Sequence, residues 1–202
     1  MDSREFKEAA YIEISTIVKS ISNPHRLEII DILSNGEKSV EQIALETNMS
    51  IANASQHLQT LKRSKWIKNR REKNFIYYEL KNQYAYAIWK TIREFARLQI
   101  PEINSAMDNY RKGQQISTIK FADAETLRPY SIVDARPVRE YNEGHIDNAI
   151  SSSSKASLPR NTNLLIYSRG PFCTLADEEV LELNKSGFNA YRIEEGYRDL
   201  AR

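Results

Sequence analysis

Apolar residues recur at helical spacing near the N-terminus, where Ala10, Ile14, Ile17, Val18 and Ile21 form one stripe. Asn23-Pro24 then reads as an N-cap followed by proline at the first helical position. The helix it opens carries Leu27, Ile29, Ile30, Ile32 and Leu33, and Asn35-Gly36 closes it. Ser39 is placed to cap a short third helix through Glu46, with Val40, Ile43 and Ala44 inward. Asn48-Met49-Ser50 is a tight turn, and Ser50 caps a fourth helix whose Ala54, Leu58 and Leu61 face one side. The period then changes. Trp66–Arg71 and Phe75–Leu80 are rich in β-branched and aromatic residues and flank Glu72-Lys73-Asn74, which predicts a β-hairpin. A long helix follows, with Tyr84, Ile88, Ile92 and Phe95 on one face, and is expected to end near Gly113. From Gln114 short apolar runs, Ile132-Val133 and Leu164–Tyr167, alternate with polar helical stretches such as Thr174–Lys185. That alternation predicts a small α/β domain.

The 202 residues suffice for two small domains, with the boundary expected near 111–115. No apolar run approaches the roughly eighteen residues of a membrane span. The opening Met1-Asp2-Ser3-Arg4-Glu5 is too polar for a secretory signal. A single cysteine, Cys173, excludes an intramolecular disulfide and fits a reducing compartment, so a cytoplasmic protein is expected. The net charge of +2 hides an asymmetry: +4 through Lys112 and −2 after it. Within Lys62–Lys73 seven basic residues face the single acidic Glu72, between a helix and a hairpin.

That placement matters because DNA recognition by a helix-turn-helix needs a short helix, a tight turn and a second helix with a small, polar outer face. Val40–Glu46, 48–50 and Ile51–Arg63 supply them in order. Ser50, Asn53, Ser55, Gln56, Gln59, Lys62 and Arg63 are the candidate groove residues, since amides and hydroxyls reach base edges. Lys68, Arg70, Arg71 and Lys73 at the hairpin are candidate phosphate contacts. Asn23-Pro24-His25-Arg26-Leu27 with Ile30 to Leu33, Met49-Ser50 to His57-Leu58, and Arg70-Arg71-Glu72 to Tyr77-Tyr78 closely resemble the ArsR family of winged-helix repressors over about residues 5–110. The resemblance implies double-stranded operator DNA as partner and a homodimer built on the first and last helices. Many members sense metals through cysteines on the third helix or through His and Asp on the last. Here the third helix offers Ser39 and Glu41, and His25, His57 and His145 all lie off the last helix, so no metal site and no cofactor are expected.

The second half carries other motifs. Ile132-Val133-Asp134-Ala135-Arg136, Glu140-Tyr141 with Glu143-Gly144-His145-Ile146, and Leu164–Tyr167 followed by Ser168-Arg169-Gly170-Pro171-Phe172-Cys173 resemble rhodanese-like domains, as do Gly187-Phe188 and Glu194-Glu195-Gly196-Tyr197. The expected architecture is thus a mainly α winged helix-turn-helix domain at 1–112 and a small α/β rhodanese-like domain with a parallel sheet at 113–202. In such domains a strand ends in a tight loop of inward N–H groups before a helix start, a cradle for a thiolate or oxyanion. Gly170, Pro171, Phe172 and Thr174 would form that cradle, with Arg169 adding positive charge. The first loop residue in the family is a cysteine that becomes a persulfide; here it is Ser168, which cannot. Three readings stay open: Ser168 replaces a native cysteine, or it is natural and the domain binds an anion or partner, or Cys173 carries a different thiol chemistry. Leu200 stands about where the family has a tryptophan, a further departure. The sequence therefore predicts a DNA-binding regulator with a module that responds to sulfane sulfur, redox state or a small anion. The alternatives are a sulfurtransferase carrying a winged helix, against which Ser168 argues, and a protein adaptor, against which the basic hairpin argues.

Overall fold

The computed structural model describes residues 1–201, which fold as two compact units, Met1–Ala96 and the part from Arg97 onward. Each unit has its own core. No helix among the described residues is long and apolar enough to cross a membrane.

The first unit runs α1 (Ser3–Ile21), α2 (Pro24–Leu33), β1 (Lys38–Ser39), α3 (Val40–Glu46), α4 (Ile51–Arg63), β2 (Ile67–Glu72), β3 (Phe75–Leu80) and α5 (Gln83–Gln99), the last carrying the chain into the second unit. Side chains fix the helix starts by satisfying N–H groups that a helix leaves open. Asp2 and Glu5 form a capping box on α1, and Ser39 and Gln42 form one on α3. Asn23 accepts from the Arg26 N–H at 3.2 Å and Ser50 from the Asn53 N–H at 3.2 Å, opening α2 and α4. The turn between α3 and α4 needs a left-handed residue, and Asn48 supplies it at φ 52°. Ile29, Ile30 and Leu33 of α2, Ile43 of α3, and Ala54, Leu58 and Leu61 of α4 pack into one core with Trp66, Ile67 and Tyr78. Trp66 also ties α1 to the hairpin, its Nε1–H donating to Ser20 Oγ at 3.0 Å. β3 is the middle strand of an antiparallel sheet of order β1-β3-β2, and Lys73 at φ 52° turns the hairpin. The two-residue strand β1 is too short to carry a sequence period and is not among the expected elements.

The single helix expected from Tyr84 to Gly113 is two helices. Pro101 has no N–H to continue the ladder and disfavours helical backbone before it, so the chain breaks at Ile100. α6 (Pro101–Gly113) belongs to the second unit, where it precedes β4 (Thr118–Ile119), β5 (Tyr130–Asp134), α7 (Val138–Glu143), β6 (Ile150–Ser151), β7 (Asn163–Ser168), α8 (Leu175–Lys185), β8 (Asn189–Gly196) and α9 (Tyr197–Leu200). The five strands pair parallel in the order β4-β8-β7-β5-β6. β7 is central and apolar from Leu164 to Tyr167, as a strand covered on both faces must be. One face packs on α8 through Leu164, Ile166, Ala176, Val180 and Leu183; the other packs Leu165, Tyr167 and Ile193 against the 3-10 turn Phe121–Leu127.

Candidate functional site

In the first unit α3, the turn at 48–50 and α4 follow in the spacing the sequence predicts. Burying Ala54, Leu58 and Leu61 rotates the opposite side of α4 outward, so Asn53, Gln56, Gln59, Lys62 and Arg63 are exposed and Ser55 is half-buried. Ser50 is exposed, but its hydroxyl is occupied in capping the helix. The wing cations differ among themselves. Arg70 is held by Glu37 and Glu72 and lies over the Tyr77 ring at 4.8 Å. Lys68 Nζ sits 3.1 Å from Glu79. Arg71 donates to the Lys73 carbonyl at 3.3 Å, and Arg71 and Lys73 are both exposed at the hairpin tip.

His57, half-buried on α4, faces His25 of α2 with ring centroids 5.5 Å apart. Burial, then the His25 and Arg26 charges, pushes its pKa below the ordinary histidine value. The expected apolar stripes divide between core and surface. Ile21 is buried and Ile92 packs partly on the core, whereas Ile14 (55% exposed), Ile17, Val18, Tyr84, Ile88 and Phe95 (64% exposed) face outward.

In the second unit β7 delivers Ser168 to the head of the loop 168–174, and α8 starts directly after Thr174. Ser168 is 1% exposed, and its Oγ has no hydrogen-bond partner among the described residues. Gly196, opposite Ser168 in the ladder, is required there, because a Cβ would lie 2.2 Å from the Arg169 carbonyl oxygen and 2.5 Å from Gly170 Cα. Gly170 and Pro171 are buried, Phe172 and Thr174 exposed, and Cys173 half-buried. Thr174 does not cap α8 with its side chain; its hydroxyl donates to Glu178 Oε1 at 2.9 Å.

Two findings correct the expected electrostatics of this loop. Arg169 does not lend it a free positive charge, because its Nη2 and Nε bond the Glu140 carboxylate at 2.6 and 3.0 Å. Two other arginines serve the loop instead. Arg192 of β8 (1% exposed) donates from Nη2 to the carbonyls of Gly170, Pro171 and Cys173 at 3.0, 3.3 and 3.2 Å. Arg111 of α6, also buried, donates to the Pro171 carbonyl at 2.6 Å. Between them lies Asp177 (2% exposed), with Oδ1 2.8 Å from Arg192 Nε and 3.2 Å from Arg111 Nε. Burial pushes the Arg192 pKa down to about 10, so it stays cationic at neutral pH. Sequence reasoning missed this cluster. Its one legible sign was Arg192 itself, two residues from the buried Ala190 on an alternating strand.

The Asp134-Ala135-Arg136 motif is scaffold. Asp134 and Arg136 form a buried pair at 2.6 Å, the Tyr167 hydroxyl donates to Asp134, and Arg136 stacks 3.7 Å from the Tyr197 ring centroid. Burial and that hydrogen bond raise the Tyr167 pKa.

A short helix, a tight turn, a second helix with a polar outer face and a basic two-stranded wing define a winged helix-turn-helix protein. Known proteins agree. Residues 23–64 match the family described as bacterial regulatory protein, arsR family. The chain is 37% identical over 67 residues to the transcriptional repressor SdpR of Bacillus subtilis, covering 33% of this chain and 74% of that protein. It is 28% identical over 201 residues to the HTH-type transcriptional regulator Rv0324 of Mycobacterium tuberculosis, covering 94% of this chain and 88% of that one. A solution structure of the homodimeric winged helix-turn-helix DNA-binding domain of Mb0332 from Mycobacterium bovis covers 50% of this chain and 91% of that one, with 30% identity and a TM-score of 0.46. The chain belongs to the arsR family of bacterial regulatory proteins and is a transcriptional regulator.

Proposed function

We propose that the protein is a cytoplasmic repressor that binds double-stranded operator DNA as a homodimer and carries a rhodanese-like sensory module in its second unit. The polar outer face of α4 carries the DNA reading. Gln56 and Gln59 project amides of the kind that pair with adenine edges, and Asn53 and Ser55 flank them. Phosphate contacts fall to Lys62, Arg63, Arg71 and Lys73, while Arg70 and Lys68 are already partnered and brace the wing. Two recognition helices are needed for two half-sites, and the exposed apolar residues of α1 and α5 form the dimer interface. Repression is inferred from the Bacillus subtilis relative, a transcriptional repressor.

In the module, the buried Ser168 hydroxyl, unpartnered among the described residues, and the loop Gly170–Thr174 form an anion cradle. A sulfurtransferase is disfavoured, since a serine hydroxyl stays protonated at neutral pH and takes up no sulfur. The test is selection of bound fragments from fragmented genomic DNA by the full chain, followed by mobility shifts with and without thiosulfate, polysulfide or phosphate. A discrete palindromic site bound by a dimer, with affinity altered by one of these anions, is the expected result. No selected site refutes the repressor reading; a site insensitive to all three anions refutes the module's.

A further inference from the structure

Arg169, the one arginine inside the loop 168–174, spends its charge on Glu140. We infer that the positive field of this loop comes from the buried Arg111–Asp177–Arg192 cluster beneath it, and that Arg111 is the positioning residue by which α6 fixes the loop. The inference rests on the anion-cradle reading and names the charge that would serve it. Among the described residues two guanidinium groups share one carboxylate, an excess of one positive charge among side chains that are nearly inaccessible to water. At such depth a charge acts on its neighbours with little solvent screening.

The same contacts set the loop's polarity. A trans peptide is planar, with its N–H antiparallel to its C=O. Arg192 and Arg111 hold the Pro171 carbonyl, and Arg192 holds that of Cys173. The N–H groups of the same two peptide planes, those of Phe172 and Thr174, therefore point away from the cluster. The Cys173 N–H is taken by the Gly170 carbonyl at 3.1 Å, so the Phe172 and Thr174 N–H groups are the donors this arrangement turns away from the cations and offers to an anion. The excess of one charge fits a small, singly charged group such as a thiolate, a persulfide or a protonated oxyanion.

The test uses a thiolate as a built-in probe. The full chain with Ser168→Cys and Cys173→Ala carries one thiol, whose ionisation is read from the pH dependence of its alkylation rate by iodoacetamide. That thiol should ionise below the ordinary value of about 8.5. Adding Arg111→Gln should raise its pKa by about one unit, read as a displacement of the whole alkylation-rate profile by about one pH unit. Arg111→Lys should restore most of the shift. Arg169→Gln should change the thiolate fraction by less than Arg111→Gln does. The fold should tolerate Arg111→Gln because Asp177 keeps Arg192 at 2.8 Å, and thermal melts verify this. A larger effect of Arg169→Gln than of Arg111→Gln, or no effect of Arg111→Gln on a low thiol pKa, would overturn the inference and leave the cradle standing. A thiol at or above about 8.5 in the parent variant would remove the cradle and the inference together.

Discussion

Gly196→Ala isolates the steric closure of the loop against β8. Gly196 has φ −96° and ψ 170°, a backbone that alanine adopts freely, so no conformational strain confuses the result. The added methyl carbon would meet the Arg169 carbonyl oxygen at 2.2 Å and Gly170 Cα at 2.5 Å. To reach even 3.0 Å from that oxygen, the backbone must retreat by about 0.8 Å. That backbone cannot retreat alone. Arg192 holds the Gly170 carbonyl, and Ser168 pairs with Gly196 in the ladder. Overpacking of this kind costs about 1–3 kcal/mol, and here the obstacle is main chain rather than a side chain that can swing away. For a unit of this size each kcal/mol lowers the melting temperature by roughly 4–8 °C. Gly113→Ala is the control: nothing lies within 4 Å of its Cβ position, and alanine favours the end of α6. Calorimetry on the full chain should show the second unit's transition lowered in Gly196→Ala, with the first unit's unchanged and Gly113→Ala equal to or above the parent. Gly196→Ala melting with the parent, its amide spectrum at 168–174 unshifted, would refute the closure.

Three further outcomes follow from the first unit. Ile14→Glu and Phe95→Glu should give monomers of about 23 kDa by light scattering, since both side chains are exposed in the single chain and their loss spares its core; dimers in both variants would remove this interface. Ile92 is unsuited to that test because it packs partly on the core. His57 titrates below its unfolded value of about 6.5, so the folded unit binds fewer protons and loses stability as pH falls through that value and below. Urea midpoints at pH 7.5 and 5.5 should drop with acid, and drop less in His25→Gln, which removes a repelling charge; an equal drop would show that the pair is uncoupled.

Much of the DNA-binding unit was legible because its signals are local. Asn23, Ser39 and Ser50 each cap a helix within three residues, and Ala54, Leu58 and Leu61 repeat on one face. Two strands of the second unit were equally plain, since β5 and β7 hold apolar runs, whereas β4, β6 and β8 show none. What escaped was non-local or too short. The pairing of Lys38–Ser39 with Tyr77–Tyr78 spans two residues, below any period. Arg169 meets Glu140 across 29 positions, and Arg111 meets Asp177 across 66, so a charge count within the loop misjudged its field. The apolar spacing carried through Pro101 although its backbone cannot. The change of texture at Gln114 marks where strands begin, whereas the compact units divide at Ala96.

The central claim is that α4 reads bases while the wing tip holds phosphates, and salt dependence separates the two. Operator and random-sequence affinities should be measured by fluorescence anisotropy across a salt series for the parent, Gln56→Ala and Arg71→Ala. Gln56→Ala should cost about 1–3 kcal/mol on the operator, little on random DNA, and leave the salt slope unchanged. Arg71→Ala should weaken both alike and lower the slope by about one. Parent-like affinities and slopes in both variants would contradict the assignment of this face to DNA.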